Sequence, residues 1–265
     1  MLINTVLLFL SNSLVIFMVL ALLLSIKNKF QLCGLTLISG ALLGILFMLL
    51  LWIYIDVISQ MFDDTGLEWF YASIHVLVYI LILHFIHRSH ISVSTANNSQ
   101  LSWYAGAILA LVIMLQGTNF LIYFIGYWSQ TDMVNSLFIG VVLGTGICIS
   151  ISILLYFFCL FLNERLYGRS TEIIFVFFAC GLFNKTSDLL LQIDFLPSSR
   201  MIFDVNFIVR EKSELGHFLK ALFGYDASPT LLQIGLYLCA LFIALYWCQF
   251  PQKLWRIPRF KQVVS

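Results

Sequence analysis

Charge is what this sequence has least of. Only 10% of its 265 residues are Asp, Glu, Lys or Arg, 61% are hydrophobic, and the mean hydropathy is +0.99. Soluble domains carry about 25% charged residues, so this chain cannot build a water-soluble surface. A nucleic-acid-binding face is excluded as well, because the net charge is +1 and no basic patch stands apart from apolar sequence. Cys33, Cys148, Cys159, Cys180, Cys239 and Cys248 form no Cys-x-x-Cys pair, which indicates neither a zinc site nor a disulfide framework. They fall in or beside apolar runs and read as small apolar residues inside a membrane bundle. The chain also lacks a nucleotide-binding loop, a nucleophile triad and a His-Glu-x-x-His motif, so neither an enzyme nor a cofactor is expected. No basic stretch precedes the first apolar run and no small-residue cleavage site follows it, so that run reads as a retained helix and not a signal peptide.

Long apolar runs are what the sequence does have. About 20 apolar residues cross the hydrocarbon core of a bilayer. Candidate spans cover 2–26, 33–55, 69–86, 103–128, 133–163, 173–193 and 229–250, and only 173–193 carries charge, Lys185 and Asp188. Alternate loops differ in basic residues. One set holds Lys27, Lys29, Arg88, Arg165, Arg169, Lys253, Arg256, Arg259 and Lys261. The other set holds Arg200, Arg210, Lys212 and Lys220, all in the single long loop before the last span. Basic residues mark the cytoplasmic side and long loops count for little, so the N-terminus is expected outside and the C-terminus in the cytoplasm. Short loops and chain size suggest a bacterial inner membrane.

Gly40-x-x-x-Gly44 in the second span and Gly140-x-x-x-Gly144 in the fifth suggest an internal repeat. Two three-helix repeats would have opposite orientations, a common plan in transporters. The expected fold is therefore an all-α integral membrane protein forming one membrane domain over 1–265. It would have seven transmembrane helices, as two inverted three-helix repeats plus a last helix. In the long loop, Leu215, Phe218, Leu219, Leu222 and Phe223 fall at helical spacing with His217 and Lys220 between them. That pattern predicts an extracytoplasmic amphipathic helix at about 213–223, before helix seven, ended by Gly224. Pro229 would open the next helix in its first turn.

The run Leu222, Phe223, Gly224, Tyr225, then Pro229, Gln233 and Tyr237, resembles the end of the oxidase-dependent iron permeases, both fungal high-affinity and bacterial ferrous-iron types. The Ile202, Phe203, Asp204 turn and the Gly181-Leu182 pair are similar to that family too. The resemblance implies seven spans, an extracytoplasmic oxidase or metal-binding protein as partner, and iron as a possible substrate. It also implies an Arg-Glu-Gly-x-Glu motif in the first and fourth helices, whose paired carboxylates suit a hard cation. Here those positions fall on Ser11, Asn12, Ser13, Leu14 and Val15, and on Leu115, Gln116, Gly117, Thr118 and Asn119. No carboxylate remains, and amides cannot neutralise a trivalent ion in low dielectric. The family's iron chemistry therefore cannot run here in its usual form.

Two readings stay open for Asn12, Gln116 and Asn119: a neutral polar substrate path at the repeat interface, or hydrogen bonds between helices. Lys185 and Asp188, three apart on one helix face, either pair locally or join that path. Asp56, Asp63, Asp64 and Glu68 form an acidic outer mouth that could concentrate cations, or a plain solvated loop. His84, His87 and His90 cluster at one end of the third span with His75 deeper inside, a spacing closer to a basic interfacial group than to a metal or haem site. The function expected is a divergent iron-permease-like transport protein. The alternative is a non-transporting membrane subunit that uses the same scaffold to bind partner proteins. Either way its first partner is the lipid bilayer.

Overall fold

A charge-free apolar segment in lipid must satisfy its backbone N–H and C=O groups internally, and a helix does so within one segment. The protein, as a computed structural model, follows that rule. It describes residues 2–30, 32–92, 98–128, 134–165, 169–197 and 213–248. Every element among them is a helix: α1 Leu2–Phe30, α2 Gly34–Ile53, α3 Ile55–Ser59, α4 Gly66–Ser92, α5 Asn98–Trp128, α6 Val134–Arg165, α7 Ser170–Gln192, α8 Glu214–Phe223 and α9 Leu231–Trp247. Six of these, α1, α2, α4, α5, α6 and α7, are long and apolar enough to cross a membrane. The protein is an all-α, multi-pass membrane protein. The Ile202, Phe203, Asp204 turn and the basic residues from Lys253 onward lie outside the described residues.

Side-chain contacts fix the direction of each helix. In α1 and α6, Phe9 faces Gly144 and Ser152 Oγ donates to Phe17 O at 2.8 Å, so the two run parallel. α2 and α5 are also parallel, with Gly40 against Gly106 and Gly44 against Ala110. A side chain at Gly40 would strike the Gly106 backbone, so this seam exists only because both residues are glycine. α4 and α7 run antiparallel: Thr186 Oγ1 lies 3.5 Å from Ala72 O, Tyr79 meets Phe183, and Phe85 meets Phe175. α4 is antiparallel to α5, where His84 meets Tyr104 and Arg88 reaches Gln100. α9 runs parallel to α4, with Tyr79 Oη donating to Ala240 O at 2.6 Å and His87 Nδ1 donating to Trp247 O at 3.1 Å.

The core lies between α1, α4, α5 and α7, where Leu14, Met18, Leu22, Ile82, Phe85, Ile108, Phe175 and Phe178 are fully buried. α2 and α6 flank it and turn Leu35, Leu42, Val142, Leu154 and Phe157 outward. An apolar exterior of this extent suits lipid and not water.

Three local features depart from the pattern read along the chain. The second span stops at Ile53, and Asp56 sits in the separate one-turn α3. The next helix starts earlier than expected, at Gly66, so Glu68 belongs to its first turn and not to the loop. Phe62, Asp63 and Asp64 make the turn before it, with φ between 54° and 64°. α8 is capped by Ser213, whose hydroxyl accepts from Gly216 N, and ends at left-handed Gly224 (φ 67°) as its sequence dictates. Pro229, in contrast, precedes the helix cap. Thr230 is the cap of α9, because Gln233 completes a capping box with it.

Candidate functional site

Four helices leave a cavity of about 670 Å³ at the end of the bundle where α1 begins. α1 contributes Ser11 and Asn12, α4 Glu68 and Tyr71, α5 Asn119 and Tyr123, and α7 Leu189 and Gln192. The pairs on α4, α5 and α7 are three or four residues apart, the spacing that places two side chains on one helix face. Its polar groups are neutral hydroxyls and amides apart from a single carboxylate, and Leu7, Leu67 and Leu189 supply apolar wall beside them.

That carboxylate is under-satisfied. Glu68 Oε2 is buried and has no hydrogen-bond partner among the described residues, and the same holds for the Tyr71 hydroxyl and His75 Nε2. These three residues follow one face of α4 inward from the cavity. His75 Nδ1 donates to Tyr71 O at 2.7 Å, so the neutral ring carries its lone pair on Nε2. Buried polar groups normally find partners, so two without them at the cavity wall, with His75 a turn further in, call for an explanation, and a bound water or ion would supply one.

The site gathers some of the residues chosen from sequence and leaves others aside. Asn12, Asn119 and Glu68 line the cavity. Gln116 is buried one turn further along α5, outside the lining. Asp56, Asp63 and Asp64 are exposed on α3 and the following turn and do not reach it. Lys185 and Asp188 do not line it: Asp188 faces the connection between α8 and α9, and Lys185 lies within electrostatic reach of His75. Asp188 Oδ1 accepts from Gln233 Nε2 at 2.6 Å, while Gln233 Oε1 accepts from Thr230 N at 2.8 Å and Thr230 Oγ1 at 2.9 Å. Asp188 therefore anchors the cap of α9, and Lys185 lies within its electrostatic reach. His84 and His87 are taken up by Tyr104 and Trp247, and the His90 side chain lies outside those described. Among the described residues no three His, Cys, Asp or Glu gather for a metal ion.

Sequence reasoning missed Tyr71, Tyr123 and Gln192. The first two had a signal, since each lies three or four residues from a residue already chosen, Glu68 or Asn119. It also missed Glu172, a carboxylate in the first turn of α7 that is 2% exposed.

Gly181, Gly224 and Gln233, three of the residues compared above with the iron permeases, belong to one joint. An added Cβ on Gly224 would lie 2.6 Å from Gly181 Cα, and Asn184 Nδ2 donates to Gly224 O at 3.4 Å. Gly181, Asn184 and Asp188 thus present a single stripe of α7 to the segment from Gly224 to Gln233. No protein-family model matches the chain, and no curated protein or solved structure matches it either.

Proposed function

We propose that this chain is a membrane transport protein on the plan of the oxidase-dependent iron permeases, and that its cavity takes a cation of low charge. The observation that carries this reading is Glu68, one carboxylate with an unpartnered buried oxygen among the described residues, set in a cavity whose other polar groups are neutral hydroxyls and amides. Ionisable groups inside a membrane protein are costly and mark pathways. Oxygen ligands suit hard cations, and one carboxylate balances one positive charge, so a ferric ion would be left with two uncompensated.

An inverted repeat belongs to the same proposal, and several correspondences favour it. A constant shift along the chain takes Tyr79 to Phe183, Glu68 to Glu172, Phe9 to Ile113 and Asn12 to Gln116. Tyr79 and Phe183 touch each other where α4 crosses α7, as residues on a two-fold axis would. Glu68 and Glu172 are each the third residue of their helix. With the basic loops taken as cytoplasmic, the cavity faces outward and α8 lies on the outer side.

Uptake into liposomes by the purified protein tests the reading, using sodium, potassium, ammonium, ferrous and ferric ions in turn. Saturable uptake of a monovalent cation is expected, and Glu68→Gln should lower it by roughly tenfold or more, the scale on which ligand-shell changes act. If a folded protein takes up none of these ions, the chain is better read as a subunit that binds partner proteins.

A further inference from the structure

The cavity lies at one end of the bundle, and an inverted repeat would specify what lies at the other end. Resting on the transport reading above, we propose that Glu172 is a second cation-binding residue, lining a site on the opposite face that opens when the cavity around Glu68 closes. The shift that relates the repeats takes Leu67 to Thr171, Glu68 to Glu172, Tyr71 to Phe175 and Asn12 to Gln116. Run backwards, it takes Asn119 to Val15 and Tyr123 to Val19. Every starting residue lines the open cavity. These six counterparts are buried, none more than 4% exposed, as are Leu115 and Phe85, the counterparts of Ser11 and Leu189, whereas Leu111 and Arg88, the counterparts of Leu7 and Gln192, are half-buried and exposed. Eight of the ten counterparts are thus packed shut, while the residues they mirror line an opening.

Polar groups surround the closed side. Thr171 Oγ1 lies 3.3 Å from Ser25 Oγ and accepts from Asn163 Nδ2 at 2.6 Å, and Thr171 N donates to Asn163 Oδ1 at 3.2 Å. Cys248 of α9 lies within electrostatic reach of Glu172. A purely structural account exists for this carboxylate, since the first turn of a helix favours an acidic side chain. That account explains one buried glutamate. It does not explain why the same shift finds a buried counterpart for most of the cavity residues. In inverted-repeat transporters the two halves exchange conformations around a central site, so a residue closed on one face is the open residue of the other state. Lipid-facing α2 and α6 would remain outside the exchange.

The test uses a membrane-impermeant maleimide on membrane vesicles of both orientations, with labelling read peptide by peptide so that native cysteines do not interfere. In Leu67→Cys the new thiol should react from the face where α1 begins. In Val19→Cys it should react from the opposite face, and a transported cation should change the two reactivities in opposite directions. Glu172→Gln should lower uptake by roughly tenfold or more while the Leu67→Cys site still reacts, showing that the bundle is folded. Should the Val19→Cys thiol stay unreactive in both kinds of vesicle while uptake continues, Glu172 is a structural carboxylate and transport rests on Glu68 without this second site. Unchanged uptake in Glu172→Gln overturns the proposal equally. A folded, unaltered protein with no uptake of any ion removes the transport reading and this site with it.

Discussion

Asp188 shows how far a single charged residue can be judged from sequence. Its position three residues after Lys185 suggests a local ion pair, because side chains at that spacing meet on a helix. The partner that holds it is Gln233, 45 residues away and itself fixed by the Thr230 cap. Local spacing could not reveal this, since the loop that brings α9 back to α7 lies between them. The resemblance did single out Gln233, though not what it binds. The acceptor matters here more than the charge. Asp188→Asn keeps an oxygen for Gln233 Nε2 and should cost less than about 1 kcal/mol, whereas Asp188→Leu strands a buried amide and should cost about 1–3 kcal/mol. Thermal unfolding of both variants in detergent would check the order. Equal losses would mean that the carboxylate's charge, and not the hydrogen bond, holds the joint.

For whole helices the sequence was most informative about existence and least about ends. Apolar length was enough to place the long helices, and Ser213 and Gly224 marked both ends of α8 as their cap chemistry requires. The ends near Asp56 and Glu68 were misplaced because charge was taken as a loop signal. A first-turn glutamate instead favours the helix and carries it outward by a turn. The two Gly-x-x-x-Gly motifs look alike in sequence, yet they meet different neighbours. Gly40 abuts the Gly106 backbone, which cannot move without parting α2 from α5. Gly144 abuts the Phe9 ring, which can turn aside at the expense of its contact with Phe120. Gly40→Ala should therefore destabilise by about 1–3 kcal/mol, the usual range for overpacking, and Gly144→Ala by clearly less. Melting curves in detergent would decide between this ranking and equal effects, which would make the two seams interchangeable.

At the scale of the molecule, membrane residence was legible from composition alone, because no arrangement of so few charges could face water. The cavity was not legible in the same way. Its walls come from α1, α4, α5 and α7, and the sequence gives no distance between Asn12, Glu68 and Asn119 until those helices pack. The last helix raises a question of length that packing also answers. α9 has 17 residues, about 25 Å at 1.5 Å per residue, short of the roughly 30 Å of a hydrocarbon core. Its contacts nevertheless extend from Asp188, in the last turn of α7, to His87, near the far end of α4. Both α7 and α4 are long enough to span. A helix that begins beside the end of one and finishes beside the end of the other, on opposite faces, is expected to cross with them. Cysteines introduced at Asp226 and at Lys253 should accordingly label from opposite sides of the membrane, with Asp226 on the side of the N-terminus. Labelling of both from the same side would leave six crossings and turn α9 back before the far face. The basic residues from Lys253 onward would then drop out of the expected orientation, which would have to stand on Lys27, Lys29, Arg88, Arg165 and Arg169 alone.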